Sequence, residues 1–187
     1  MNILTTSLTA FAQEHDNVEA ILSRVSYVES NLLRINFLAY GDIARLQIPA
    51  QSLPRRADCL WQHTCFEAFI RADRDPSYCE FNFSPSGEWA AYWFRAYRDG
   101  GPIDDEALLP EIVVRRMPDR IELDAVLPLD RLPAIRTGTL VQIGLSAVIE
   151  GNDGALSYWA LKHPAAKPDF HHPQSFVLDL PFPSQSA

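Results

Sequence analysis

Within seven positions of one apolar run, LWQHTCFEAFI at 60–70, stand Trp61, His63, Cys65 and Glu67. His63, Cys65 and Glu67 fall on one side of an extended strand, in the style of a base, a nucleophile and an orienting acid. The spacing opposes that chemistry. Same-side neighbours on a strand stand roughly 6.7 Å apart with parallel side chains, whereas a nucleophile and its base must meet at about 3 Å. A second candidate is HPAAKPDFHHP, which supplies His163, Asp169, His171 and His172. It matches no closed zinc pattern, its prolines mark an irregular loop, and adjacent histidines in extended backbone point apart. Haem would need a methionine opposite a histidine, and besides the initiator there is only Met117, in the turn-like RRMPDR. No catalytic residue, metal or cofactor is therefore expected, haem or a loop-bracing calcium being the alternatives.

The elements that must position these groups are strands. Period-2 alternation dominates and helical periodicity is nearly absent, which predicts an all-β chain. Strands are expected near 18–28, 32–40, 43–48, 65–72, 78–84, 88–97, 111–116, 120–127, 140–150, 156–162 and 175–180. Turn chemistry separates them at Tyr40-Gly41-Asp42, Pro85-Ser86-Gly87 and Asn152-Asp153-Gly154. Short helices are expected at 6–13 and 104–109. Many short strands without long helices between them predict a two-sheet antiparallel β-sandwich or jelly roll, with Phe66, Ile70, Phe81, Phe83, Phe94, Leu123, Leu145 and Phe176 inside.

Alternation also assigns faces. Phe66, Ala68 and Ile70, then Cys79, Phe81 and Phe83, then Ala90, Tyr92, Phe94 and Ala96 form the expected core side. The opposite side presents Cys65 and Glu67, then Glu80, Asn82 and Ser84, then Trp89, Trp93 and Arg95. Carboxylates and amides beside indoles are what a sugar needs, since hydroxyls both donate and accept and a pyranose has an apolar face to stack. The expected ligand-binding set is Glu67, Glu80, Asn82, Trp89 and Trp159, with Trp61, His63, Lys162 and His163 at the rim.

Bulk properties narrow the partners. The chain of 187 residues carries a formal net charge of -8 and a pI near 5.0, which repels phosphate backbones and anionic lipid, so neither nucleic acid nor membrane is expected. One domain, 1–187 with its core at about 18–180, is expected because no Gly/Ser- or Pro-rich linker divides the chain. The opening MNILTTSLTAFAQEHD lacks the basic, then apolar, pattern of a secretion signal, so a cytoplasmic protein is expected. Cys59, Cys65 and Cys79 cannot all pair and form no CxxC; they are expected to be reduced, inert and buried.

LWQHTCFEAFI, SYCEFNFSPSGEWAAYWF and AVIEGNDGALSYWALKHPAAKPDFHHPQSFVLDL, taken together, resemble the bacterial DOMON-like proteins related to type 9 carbohydrate-binding modules. The shared order is a Trp before a Glu-bearing strand (Trp61, Glu67), a Tyr-x-x-Phe-Asn strand ending in Ser/Pro-Gly (78–87), and a Tyr-Trp strand (Tyr158-Trp159) followed by His163, prolines and a last apolar strand. The resemblance runs from about residue 18 to 180. It implies a jelly-roll sandwich that binds a sugar or haem and performs no chemistry. The expected function is thus non-enzymatic binding of a small carbohydrate or polyol. The alternatives are a hydrolase using Glu67 and Glu80 as a carboxylate pair, or a protein-interaction sandwich with Trp89 and Trp93 under another chain.

Overall fold

A computed structural model describes residues 3–12, 17–105, 107–133, 135–136 and 138–182. Its strands are β1 (Ile3–Ala10), β2 (Val18–Glu29), β3 (Leu32–Gly41), β4 (Cys65–Ala72), β5 (Tyr78–Phe83), β6 (Trp89–Ala96), β7 (Asp99–Pro102), β8 (Glu111–Met117), β9 (Arg120–Pro128), β10 (Leu140–Glu150), β11 (Leu156–Ala160) and β12 (Leu178–Pro181). The fold is an all-β antiparallel sandwich.

One sheet runs β1-β2-β3-β9-β8 and the other β7-β6-β5-β4-β10-β11. β1 belongs to both: Ile3–Leu8 pairs with β2, while Thr9 and Ala10 pair with Ala160 and Trp159 of β11. β12 lies end to end with β11 along the same edge of β10, pairing at Leu140–Ile143 where β11 pairs at Ser146–Glu150. Alternation is clean in the first sheet. Leu33, Ile35, Phe37 and Ala39 of β3 and Ile121, Leu123, Ala125 and Leu127 of β9 are fully buried, with Arg34, Asn36, Glu122 and Asp124 among the residues that alternate with them, as a sheet with one wet face requires. Their partners across the sandwich are Phe66, Ala68, Ile70, Phe81, Phe83, Ile143 and Leu145. The Phe37 and Phe66 rings meet at 5.1 Å between the sheets.

Four expectations are corrected. Residues 6–10 are strand, not helix, because Leu4 and Leu8 supply the inward period of an edge strand against β2; Gln13 lies outside the described residues. Residues 104, 105 and 107–109 form no helix. The expected strand at 43–48 is a 3₁₀ turn, Ile43–Arg45, capped by Asp42, whose side chain accepts from the Ala44 amide. Of the expected core, Phe94 and Phe176 are not between the sheets; they join Phe69 and Tyr78 in a second cluster on the far face of the second sheet.

Candidate binding site

β4 and β5 are buried on both faces, apart from Arg71. The inner face is covered by the first sheet and the outer by two irregular segments, 57–64 and 161–177. Cross-strand register sets Ser146, Glu67 and Asn82 in one row of the outer face. The Ser146 hydroxyl donates to Glu67 Oε2 at 2.9 Å, and Asn82 Nδ2 donates to Glu80 Oε1 at 2.8 Å. The segment 161–177 is held down by Phe176, which packs on Phe69 and Tyr78 and carries the Arg71 guanidinium 4.4 Å from its ring centroid. It passes so close to β10 that a Cβ at Gly144 would stand 3.1 Å from the Ser175 carbonyl; glycine there permits the close approach.

Between floor and covering segment lies a cavity of about 450 Å³, within the range of small-molecule sites. Glu67, Glu80, Tyr92, Phe94, Val148 and Tyr158 rise from the sheet, Pro168, Phe170 and His171 come from the covering segment, and Trp61 and Arg98 stand at the margins. Arg98 is clasped to Asp169, Nη2 to Oδ1 at 3.0 Å, and the Tyr97 hydroxyl donates to the other oxygen at 2.8 Å. Burial would raise the Asp169 carboxyl, but these bonds hold it below its ordinary value.

Burial pushes the Glu67 carboxyl up to about 8, the charge of Glu80 adding to it and the Ser146 bond opposing. Glu80 rises to about 7, again by burial, with Asn82 and the Arg98 charge opposing. Burial, then the charge of Arg98, lowers His171 to about 4, so it is neutral at pH 7. The Tyr78 hydroxyl accepts the Arg98 amide at 3.1 Å. Its own proton then goes to His171 Nδ1, 2.8 Å away, which leaves the other ring N–H facing Glu80 Oε2 at 3.6 Å.

Three of the residues expected from sequence line the cavity: Trp61, Glu67 and Glu80. Asn82 lies beneath it, fully buried. Trp89 and Trp159 are on the opposite face. Trp89 pairs with Phe83 and Trp159 with Ala147, and directly opposed residues share a side, so both indoles enter the core. The neighbours that do face the cavity, Tyr92 and Tyr158, carry no distinguishing signal in the sequence because β6 and β11 are aromatic on both faces. Trp93 shares the inner side with Trp89 at the sheet margin, 36% exposed. His63 is turned to Glu150, Nδ1 to Oε2 2.8 Å; His163 bonds the Thr9 carbonyl through Nε2 at 2.8 Å; Lys162 is exposed. None of the three lines the cavity. Among the described residues no group of three or more His, Cys, Asp or Glu side chains could hold a metal ion.

The thiols divide two to one. Cys65 and Cys79 are buried and Cys59, expected to be buried, is exposed, in a left-handed residue that caps the 3₁₀ turn Leu60–Gln62. Burial raises the Cys65 thiol well above its ordinary value and Cys79 to about 12. A mild alkylating agent should modify one thiol per native chain, at Cys59, and all three only after unfolding; native labelling of Cys65, read by peptide mass, would contradict this placement.

No described protein family matches the chain by sequence, and no curated protein does. Solved structures do match in fold. A Bacteroides uniformis protein inferred to be carbohydrate-binding superposes with a TM-score of 0.70 at 14% identity, over 93% of this chain and 84% of that one. A family 9 carbohydrate-binding module from Caldicellulosiruptor kristjanssonii in complex with cellotriose gives 0.56 at 11%, over 88% and 75%. A family 9 module from the same organism in complex with glucose gives 0.50 at 12%, over 79% and 69%. The chain has the β-sandwich fold of these carbohydrate-binding proteins.

Proposed function

We propose that the protein is a non-catalytic binding domain for a small carbohydrate or related polyol, held in the cavity between the second sheet and the segment 161–177. The observation that carries the reading is the pairing of two buried, proton-retaining carboxyls, Glu67 and Glu80, with aromatic walls from Tyr92, Tyr158 and Trp61. A protonated carboxyl both donates and accepts, as a sugar hydroxyl does, and an aromatic ring receives the apolar face of a pyranose. The sandwich fold shared with modules seen in complex with cellotriose and glucose supports the same reading, and the finer kinship to DOMON-like proteins belongs to it.

The arrangement speaks against the hydrolase alternative. Glu80 sits two residues along β5 from Asn82, the cross-strand partner of Glu67, so both acids rise side by side from one floor. A glycosidase pair flanks the scissile bond from opposite sides.

Calorimetric titration of the purified chain with glucose and cellotriose should give dissociation constants in the micromolar to millimolar range, about 4–8 kcal/mol of binding free energy. Tyr158→Ala should weaken the better ligand about tenfold or more. Full-strength binding in that variant, or none of either sugar by the wild-type chain, would remove the site.

A further inference from the structure

We infer that the natural ligand carries a protonated amine seated between the carboxyls of Glu67 and Glu80. The inference rests on the sugar reading above, so the ligand class becomes an amino sugar.

Both acids are almost fully withdrawn from solvent, at 3% and 6% exposure, yet among the described residues neither forms an ion pair with a lysine or arginine. Each is half satisfied. Glu67 Oε2 takes the Ser146 hydroxyl and Glu80 Oε1 takes the Asn82 amide. Glu67 Oε1 has no hydrogen bond among the described residues, and Glu80 Oε2 faces only the neutral His171 ring at 3.6 Å. Both acids line the cavity. Arg98, the one lysine or arginine of the lining among the described residues, is committed to Asp169.

Paired acids buried without a cation in ion-pair contact are costly to ionise, the charge of Arg98 offsetting this only in part, and an incoming ammonium compensates them where a neutral hydroxyl does not. An anionic sugar would be repelled by the same pair. Tyr92, Phe94, Tyr158 and Trp61 also line the cavity, and aromatic rings attract a desolvated cation. Ionising the pair on binding releases protons, so affinity for an ammonium rises with pH through the range in which the free acids hold theirs. The other titratable groups around the pair are His171 and Tyr78, Arg98 with Asp169 behind it, Tyr92 with Asp58 at its hydroxyl, Tyr158 in the cavity wall, and Cys65 on the same face of β4. His171 stays neutral over the pH range tested, and Arg98 keeps its charge.

The test is calorimetric titration of the intact chain with glucosamine, glucose and N-acetylglucosamine between about pH 5.5 and about pH 7. Glucosamine should bind about tenfold or more tighter than glucose near neutrality, with the ratio growing several-fold across the series. Acetylating the amine should abolish the preference. Glu80→Gln should bring the ratio close to one; should that variant not fold, the wild-type pH series decides alone. Glucose or N-acetylglucosamine binding as tightly as glucosamine, a ratio flat with pH, or a preference that survives in folded Glu80→Gln would each overturn the amine inference and leave the sugar reading standing. Absence of binding by all three, and by cellotriose, would overturn both.

Discussion

Phe66→Ala should lower the unfolding free energy by about 3–5 kcal/mol, equivalent to a fall in Tm of roughly 6–20 °C for a chain of this size. Phe66 is fully buried on β4, between β10 and β5, and its ring meets Phe37 of the other sheet. Removing it leaves a void that β4, hydrogen-bonded along both edges, cannot collapse to fill. Phe94→Ala is the informative contrast. Its ring stacks on Tyr78 at 4.8 Å on the outer face, half-buried at the cavity wall, and its loss should cost only about 1–2 kcal/mol while weakening the sugar binding proposed above. Chemical denaturation of the two variants checks the face assignment of β6. Equal losses, with binding untouched by Phe94→Ala, would return Phe94 to the core side.

Glu67→Gln should stabilise the protein in mild alkali and do little in acid. The folded-state carboxyl is raised, so the native chain keeps a proton that the unfolded chain releases above the ordinary value of 4.5. Its contribution is fully present below that value and is lost as pH rises through about 8. Glutamine copies the protonated form at every pH and can still accept from Ser146. The gap between variant and wild type should therefore open from about pH 5 and reach a few kcal/mol by about pH 8, a tenfold difference in proton affinity between the folded and unfolded chain being worth ~1.4 kcal/mol. His171, lowered to about 4, contributes the opposite slope below its ordinary value of 6.5 and does so in both proteins, so the difference reports Glu67 together with its mutual repulsion with Glu80. Urea unfolding at a series of pH values measures it, and parallel curves for the two proteins would mean that the carboxylate is solvated.

Fold class and most strands were legible in the sequence because alternation is strong where one face is wet, as in RIELDAVLP of β9, where Ile121, Leu123, Ala125 and Leu127 turn inward. Phase failed where both faces are apolar. In WAAYWFRA the aromatics occupy both sides, Trp89 and Trp93 against Tyr92 and Phe94, and hydrophobicity alone does not choose between them. The turn does. Ser84–Glu88 closes the hairpin, with the Ser84 amide bonded to the Glu88 carbonyl and the Gly87 amide to the Ser84 carbonyl. That places Trp89 opposite Phe83, whose side follows from the alternation of β5. The same reasoning from the Gly151–Ala155 turn puts Trp159 inside and Tyr158 outside. His171 left no such signal. Its partners are Tyr78, 93 residues earlier, and Glu80, and it stands in an irregular, proline-marked segment where no period applies.

The end-to-end placement of β11 and β12 on one edge of β10 fixes what the cavity is before any ligand arrives. The covering segment leaves the sheet after Ala160 and rejoins it at Leu178, so both its ends are stitched into the same ladder, and midway it is riveted by Gly144, Arg71 and the Asp169 clasp. Such a span cannot swing away without breaking the Arg98–Asp169 and Arg71–Pro173 bonds and lifting Phe176 off Phe69 and Tyr78. The walls thus stand preorganised, and for the small polyol proposed above little binding free energy would be consumed in ordering protein, so a few hydroxyl and ring contacts would suffice.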